Sequence, residues 1–333
     1  MAQIVITEFM DDEVARELAE HHDVLYDPGL VDRPDDLARA AKDCSALIVR
    51  NRTRVDAELL DRCPKLRVIG RLGVGLERID LEACKARGVV VRSARGANAI
   101  AVAEYVIAGL FILLRGVFDA TGRVTGGEWP RRQLIGRELC GRRLGIVGLG
   151  DIGRHVARRA GALGVRLAAS DPYVHEEHPA WRELGVERVE LDRLLADSDA
   201  VTLHVPLTDE TRGIIDAQAL ARMKPDAVLI NTARGGVVDE AALIDALEAG
   251  RLGGAMVDVF AEEPLSAESG ARFENVPNLI LTPHIAGITW TSHRWISVLT
   301  VNNVLEVLAR ISHQEAAVIA PGGIDPPGES RKA

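Results

Sequence analysis

The sequence predicts an α/β protein built from two doubly wound parallel sheets, and three observations carry that prediction. Short β-rich runs alternate with segments of helical spacing from end to end, the pattern of βαβ units rather than of a bundle or a sandwich. The runs fall into two groups, one within about the first 95 residues and one from residue 143 onward. Length agrees, because 333 residues exceed what one hydrophobic core organises in a typical chain.

In the first group, residues 3–6 read as a strand and 11–19 as a helix whose acidic N-terminus suits the helix dipole. Strands follow at 23–26, 46–49, 68–71 and 89–92, with helical spacing at 35–42, 57–61 and 80–87. The second group places strands at 143–147, 166–170, 200–204, 227–231, 254–259 and 278–281. Six such strands with intervening helices is the count of a dinucleotide-binding domain, so the chain reads as two Rossmann-like domains. Residues 99–114, between the groups, are apolar on nearly every face, as in a helix buried where domains or subunits press together. A last long helix at 291–310 comes too late to extend the second sheet and can return to the first domain. From about residue 320, Gly322, Gly323, Pro326, Pro327 and Gly328 predict a flexible tail.

Composition narrows the partners. With 47% hydrophobic and 27% charged residues the chain is globular, not disordered. A net charge of −9 argues against general affinity for nucleic acid or anionic membrane. The apolar stretch 99–114 contains Glu104 and is too short to span a bilayer. Glu8, Asp11, Asp12 and Glu13 stand where a signal peptide needs apolar residues, so a cytoplasmic protein is expected. Cys44, Cys63, Cys84 and Cys140 show no paired spacing, and His175 and His178 lack further ligands, so no metal is expected.

Residues 142–153 read RRLGIVGLGDIG, an apolar strand running into Gly148, Gly150 and Gly153. The first glycine makes the tight turn, the second admits a pyrophosphate to the backbone, and the third lets helix and sheet pack closely. The helix expected at 152–163 aims its N-terminal amides at the phosphates. Asp171 follows the next strand, where a carboxylate accepts hydrogen bonds from ribose hydroxyls and repels a 2′-phosphate. No Arg follows it closely, so NAD is expected rather than NADP.

Three further segments end strands: NTARGG with Arg234, DVFAEEP with Glu263, and LTPHIAG with His284. Ligands of an open parallel sheet sit at strand carboxyl ends. There an Arg can hold a carboxylate bidentately, and a His backed by a Glu can exchange a proton with a carbonyl oxygen. Beside a nicotinamide, that equips a hydride transfer between a 2-oxo and a 2-hydroxy acid. Singly, each residue has a plainer structural explanation; their shared place at strand ends makes the case.

With these motifs the sequence resembles the D-isomer-specific 2-hydroxyacid dehydrogenases. The resemblance runs from VIGRLGVGLERID at 68–80 through GANAIAVAE at 96–104, Trp129, HVPLTDETRG at 204–213 and NTARGGVVDE at 231–240 to HIAG at 284–287. It implies a discontinuous substrate domain (1–98 and 285–319), an NAD-binding Rossmann domain (99–284) and a tail at 320–333. It implies Arg234 on the substrate carboxylate and oxo oxygen, and His284 as acid/base oriented by Glu263. Val74, Asp151, Ile152, Asp171, Val205, Thr232, Ala233, Arg234, Asp258, His284 and Gly287 match positions that contact NAD, beside Gly148, Gly150 and Gly153. Gly73, Val74 and Gly75 match the loop whose amides hold the substrate carboxylate. A homodimer through the NAD-binding domain is the family expectation.

Two departures bear on the substrate. With 333 residues taken up by the two domains, the regulatory domain of longer phosphoglycerate dehydrogenases is expected to be absent. The loop VRNRTR carries Asn51 and Arg52 where phosphoglycerate and hydroxypyruvate enzymes often show a small residue, which suits an anionic tail, or is only a solvated Arg run. TEFMDDEV and YDPGLVDRP look most like members acting on sulfolactate; glycerate, hydroxypyruvate and 3-phosphoglycerate remain alternatives. A second class stays open, the NAD-sensing corepressors of the same fold, which add interaction regions that this chain has little length to supply.

Overall fold

The computed structural model describes residues 3–312, so the tail expected at 320–333 lies outside them. Two compact units emerge, residues 3–98 with 288–312 and residues 99–287. The chain re-enters the first unit between Gly287 and Ile288 rather than between His284 and Ile285. The amides of Ile285 and Ala286 explain the difference: both donate to the Asp258 carboxylate, at 2.9 Å each, and stay with the second unit.

In the first unit, β1 (Ile4–Ile6), β2 (Val24–Tyr26), β3 (Ala46–Val49), β4 (Val68–Arg71) and β5 (Val90–Ser93) form a parallel sheet of order β2-β1-β3-β4-β5. Strands β1 and β3 are buried on both faces, which is why they read as unbroken apolar runs rather than alternating ones. The helix Asp12–His21 starts where Asp11 accepts the Glu13 and Val14 amides. The late helix, Trp290–Ser312, packs on this same sheet. Gly70 permits the contact, since a Cβ there would lie 2.5 Å from Val304 and 2.8 Å from Thr300. Ile4, Ile6 and Ile48 meet Val301, Val304 and Leu305 in the resulting core. The strand order reverses between β1 and β3, so the loops after these two strands adjoin at the carboxyl edge.

The second unit is a seven-stranded parallel sheet of order β12-β11-β10-β9-β6-β7-β8. Its strands are β6 (Arg143–Val147), β7 (Arg166–Ser170), β8 (Val186–Arg188), β9 (Ala200–Leu203), β10 (Val228–Asn231), β11 (Gly254–Val257) and β12 (Leu279–Leu281). The sequence predicts six; β8 is the addition. It is a three-residue edge strand with only Val186 buried, too short for any periodicity to register. The helix Ala99–Arg115 buries Val102, Val106, Leu110 and Leu114. It is not enclosed all round, because Glu104, Ala108, Phe111 and Arg115 form one exposed stripe at helical spacing. Among the described residues no helix is long and apolar enough to cross a membrane.

Candidate active site

The glycine turn after β6 has the mechanics expected of it. Gly148 takes φ 94°, in the left-handed region, and a Cβ there would meet the His204 carbonyl oxygen at 2.9 Å and the Val205 side chain at 3.1 Å. Gly153 tolerates no side chain, because its Cβ would lie 2.2 Å from the Gly148 carbonyl oxygen. Gly150 is different: the space before it is open, and it caps the helix Asp151–Ala162 with no side-chain hydrogen bond. The first amides of that helix therefore face an uncapped gap, a ready anion site. Asp151 and Ile152 begin the helix.

Asp171 follows β7 and is fixed at the tip of the turn. Its Oδ2 accepts the Leu149 amide at 2.7 Å; its Oδ1 accepts those of Tyr173 at 2.9 Å and Val174 at 3.2 Å. At the end of β9 the His204 ring is buried, with Nε2 3.0 Å from Thr202 Oγ1. Burial pushes its pKa down to about 3, so it is neutral. At the end of β10 the Thr232 hydroxyl is buried without a hydrogen-bond partner, while the Ala233 amide donates to Asn231 Oδ1 at 3.1 Å. An uncapped helix N-terminus after β6 and an orphaned hydroxyl after β10, at the same carboxyl edge with only β9 between them, are what a dinucleotide would complete, so these residues fit the cofactor.

Arg234, Glu263 and His284 come together at the ends of β10, β11 and β12. Gly235 makes this possible: a Cβ there would fall 1.7 Å from the Phe260 carbonyl oxygen, so the two loops touch backbone to backbone. Glu263 Oε1 accepts the Phe260 amide at 2.8 Å, and Oε2 lies 2.7 Å from His284 Nδ1. Burial opposes the Glu263 charge, yet the His284 hydrogen bond, the Phe260 amide and the nearby Arg234 hold its carboxyl below the usual range. The His284 side chain is 51% exposed, which leaves Nε2 available to a ligand.

His284 has φ 51°, a left-handed conformation that a side-chain-bearing residue seldom adopts. Asp258 holds it there. Its carbonyl accepts the His284 amide at 2.8 Å, and its carboxylate, 1% exposed, accepts the Thr282 hydroxyl and the amides of Ile285 and Ala286. Thr282 in turn bonds the Tyr105 hydroxyl, and Gly287 is buried at the end of this turn. Tyr105 carries no signal in the sequence beyond its place in the apolar helix.

Gly73, Val74, Gly75, Asn51 and Arg52 belong to the first unit, after β4 and β3. Gly73 takes φ 132°, and the Arg71 guanidinium occupies the place of its missing Cβ. Val74 is exposed at the tip of this turn. Arg52 is exposed with its guanidinium on Asp32, and Asn51 is exposed beside it. Two residues unmarked by sequence reasoning matter more. Arg50 is half-buried, donating to the Phe9 carbonyl at 3.1 Å with His293 Nδ1 at 3.4 Å. Glu8, given no role of its own by the sequence beyond its place in TEFMDDEV, is 4% exposed and bonded to the amides of residues 50–53.

Comparison with known proteins agrees with this geometry. Residues 107–286 match the family model of the D-isomer specific 2-hydroxyacid dehydrogenase NAD binding domain. The (S)-sulfolactate dehydrogenase of Chromohalobacter salexigens is 51% identical over 309 residues, 92% of this chain and 99% of that protein. A D-3-phosphoglycerate dehydrogenase of Synechocystis is 40% identical over 277 residues, which is 83% of this chain but only 49% of that protein. The TT0316 protein of Thermus thermophilus superposes with a TM-score of 0.81 at 33% identity, covering 94% of this chain and 98% of that one. A glycine turn built for a dinucleotide, beside an Arg, a Glu and a His on adjoining strand ends, thus has a family to which it answers: the chain belongs to the D-isomer-specific 2-hydroxyacid dehydrogenases and is an NAD-dependent oxidoreductase of 2-hydroxy acids.

Proposed function

We propose that the protein interconverts NAD(H) and a 2-hydroxy/2-oxo acid pair whose far end is anionic, with a sulfonate the favoured tail. The observation that carries the chemistry is the Glu263–His284 hydrogen bond of 2.7 Å beside Arg234. Arg234 clamps the substrate carboxylate. In reduction, protonated His284 keeps Nδ1–H on Glu263 and gives the Nε2 proton to the oxo oxygen. Glu263 stays charged and stabilises the imidazolium before transfer. Bound NADH supplies the hydride. Gly148, Gly150, Asp151, Ile152 and Gly153 receive the pyrophosphate, Asp171 the ribose, and Val205, Thr232, Ala233, Asp258 and Gly287 the remainder of the cofactor.

For the tail, the loop after β3 supplies the donors. Arg50 is the better placed: it is half-buried and its guanidinium meets the Phe9 carbonyl rather than a carboxylate among the described residues, although the Glu8 charge lies near it, whereas Arg52 is exposed and already meets Asp32. Half-buried charges call for partners, and an anionic tail is one. The name of the 51% identical relative supports a sulfonate. NADH oxidation with sulfopyruvate, phosphohydroxypyruvate, hydroxypyruvate, glyoxylate and pyruvate tests this. Sulfopyruvate is expected to give the highest kcat/KM; equal values with pyruvate refute the anionic tail.

The same proposal places the enzyme in the cytoplasm as a homodimer without affinity for nucleic acid. A net charge of −9 supports the last point. The dimer is supported by Phe111, Phe118, Trp129 and Ile135, large apolar side chains of the second unit exposed by 38%, 63%, 75% and 79%. Sedimentation of wild type and Phe118→Glu checks it: a wild-type monomer refutes the dimer.

A further inference from the structure

In the first unit, four successive amides converge on one carboxylate. Glu8 Oε1 accepts the Arg50 amide at 2.8 Å and the Thr53 amide at 2.9 Å, while Oε2 accepts Arg52 at 2.9 Å and Asn51 at 3.2 Å. Consecutive N–H groups turned toward one point make a concavity that binds free anions in other proteins. Here the anion is supplied by the neighbouring strand end. The pairing occurs between β1 and β3, where the strand order reverses and open α/β sheets take their ligands.

The core gives no reason for a charge at this place. An aliphatic side chain would fill the volume without losing the hydration that a buried carboxylate forfeits. What the carboxylate does, and an aliphatic side chain cannot, is orient the amides of residues 50–53. Burial opposes the charge, but the amides of Thr53, Arg50 and Arg52 outweigh it and hold the carboxyl below its ordinary value. Thr53 is locked too, with its hydroxyl 2.8 Å from Thr7 Oγ1.

We propose that Glu8 is the positioning residue for recognition of the substrate tail: it fills the nest, fixes the 50–53 backbone, and leaves the side chains of Arg50 and Asn51, not the amides, to meet the anion. This inference deepens the proposed function and rests on its anionic tail. Substrates without a tail need nothing from this loop. Glu8 therefore acts on selectivity between substrates rather than on the hydride transfer common to them.

The test compares sulfopyruvate with glyoxylate in wild type, Glu8→Gln and Glu8→Asp. Gln keeps the shape but offers one acceptor oxygen to four amides; Asp keeps the charge but reaches less far. Glu8→Gln is expected to lower kcat/KM for sulfopyruvate at least about tenfold, mainly through KM, with glyoxylate changed less than about threefold. Glu8→Asp should recover part of the sulfopyruvate loss. A uniform support of the fold would not separate the two substrates. Equal losses on both, no loss on either, or failure of both variants to fold overturns the proposal. If wild type itself fails to prefer sulfopyruvate, the anionic-tail reading falls and takes this inference with it; a preference kept intact by Glu8→Gln overturns this inference alone.

Discussion

Replacing Glu263 with Gln removes the charge beside His284 while keeping the shape of the side chain. The two Glu263 oxygens serve two donors, the Phe260 amide at 2.8 Å and His284 Nδ1 at 2.7 Å. Gln has one acceptor oxygen, so whichever donor it keeps, the other faces an NH2 group. The imidazolium loses its counter-charge and, in one amide orientation, its acceptor. Unit charges roughly 4 Å apart attract by about 4 kcal/mol near a protein surface and about 1 kcal/mol in water. With His284 51% and Glu263 33% exposed, the lower part of that range applies, about 1–2 kcal/mol. At about 1.4 kcal/mol per decade, losing that attraction should lower the turnover of 2-oxo acid reduction by about 5- to 30-fold. Stopped-flow or steady-state NADH oxidation reads this out. Turnover unchanged from wild type refutes the role given to Glu263.

The remaining predictions are simpler. His284→Asn should cut turnover by about 100- to 10,000-fold while a fluorescence titration still finds NADH bound; near-normal turnover removes His284 from proton transfer. Asp171→Ala should weaken NADH binding and narrow its advantage over NADPH, and wild type using NADPH equally well would refute the assignment. Arg50→Ala should lose about 10- to 150-fold in kcat/KM on sulfopyruvate, the worth of one charge-assisted bond, whereas Arg52→Ala should lose little; the reverse result gives the tail to Arg52. Glu8 has a folded pKa below its ordinary 4.5, so its stabilisation is complete above that value and is lost as pH falls through the lowered one. Acid unfolding followed by circular dichroism should therefore be less steep below about pH 4.5 in Glu8→Gln than in wild type, and identical slopes would count against it.

Elements with a strong periodic pattern were legible, and so was the glycine turn after β6. The apolar runs that became β3 and β10, and the glycines at 148 and 153, carry their geometry in their composition. The strand β8 was not legible because a single buried Val is no pattern. The exposed stripe on helix Ala99–Arg115 was hidden by its own residues, since Ala108 and Phe111 are apolar yet face outward. Most of all, tertiary hydrogen bonds leave no local trace. Nothing near Glu8 in the sequence says that residues 50–53 will close around it, and nothing near His284 says that Asp258 will hold it at positive φ.

These cases share one physical device. Glu8, Asp171 and Asp258 each lie at or just beyond the carboxyl end of a parallel strand, and each accepts amides from the loop beside it. Glu263 does the same with the Phe260 amide. Strand carboxyl ends are where the backbone leaves its ladder, so amides there lose their sheet partners and need acceptors. A carboxylate meets that need and is itself held charged by it, as the lowered Glu8 and Glu263 carboxyls record. In a protein of net charge −9 this has a second effect. Carboxylates surrounded by N–H dipoles repel an approaching anion less than bare ones would, so in the second unit Arg234 and the uncapped helix amides after Gly150 set the local field. The site can therefore attract an anionic substrate and an anionic cofactor into an acidic protein without shedding the carboxylates that shape it.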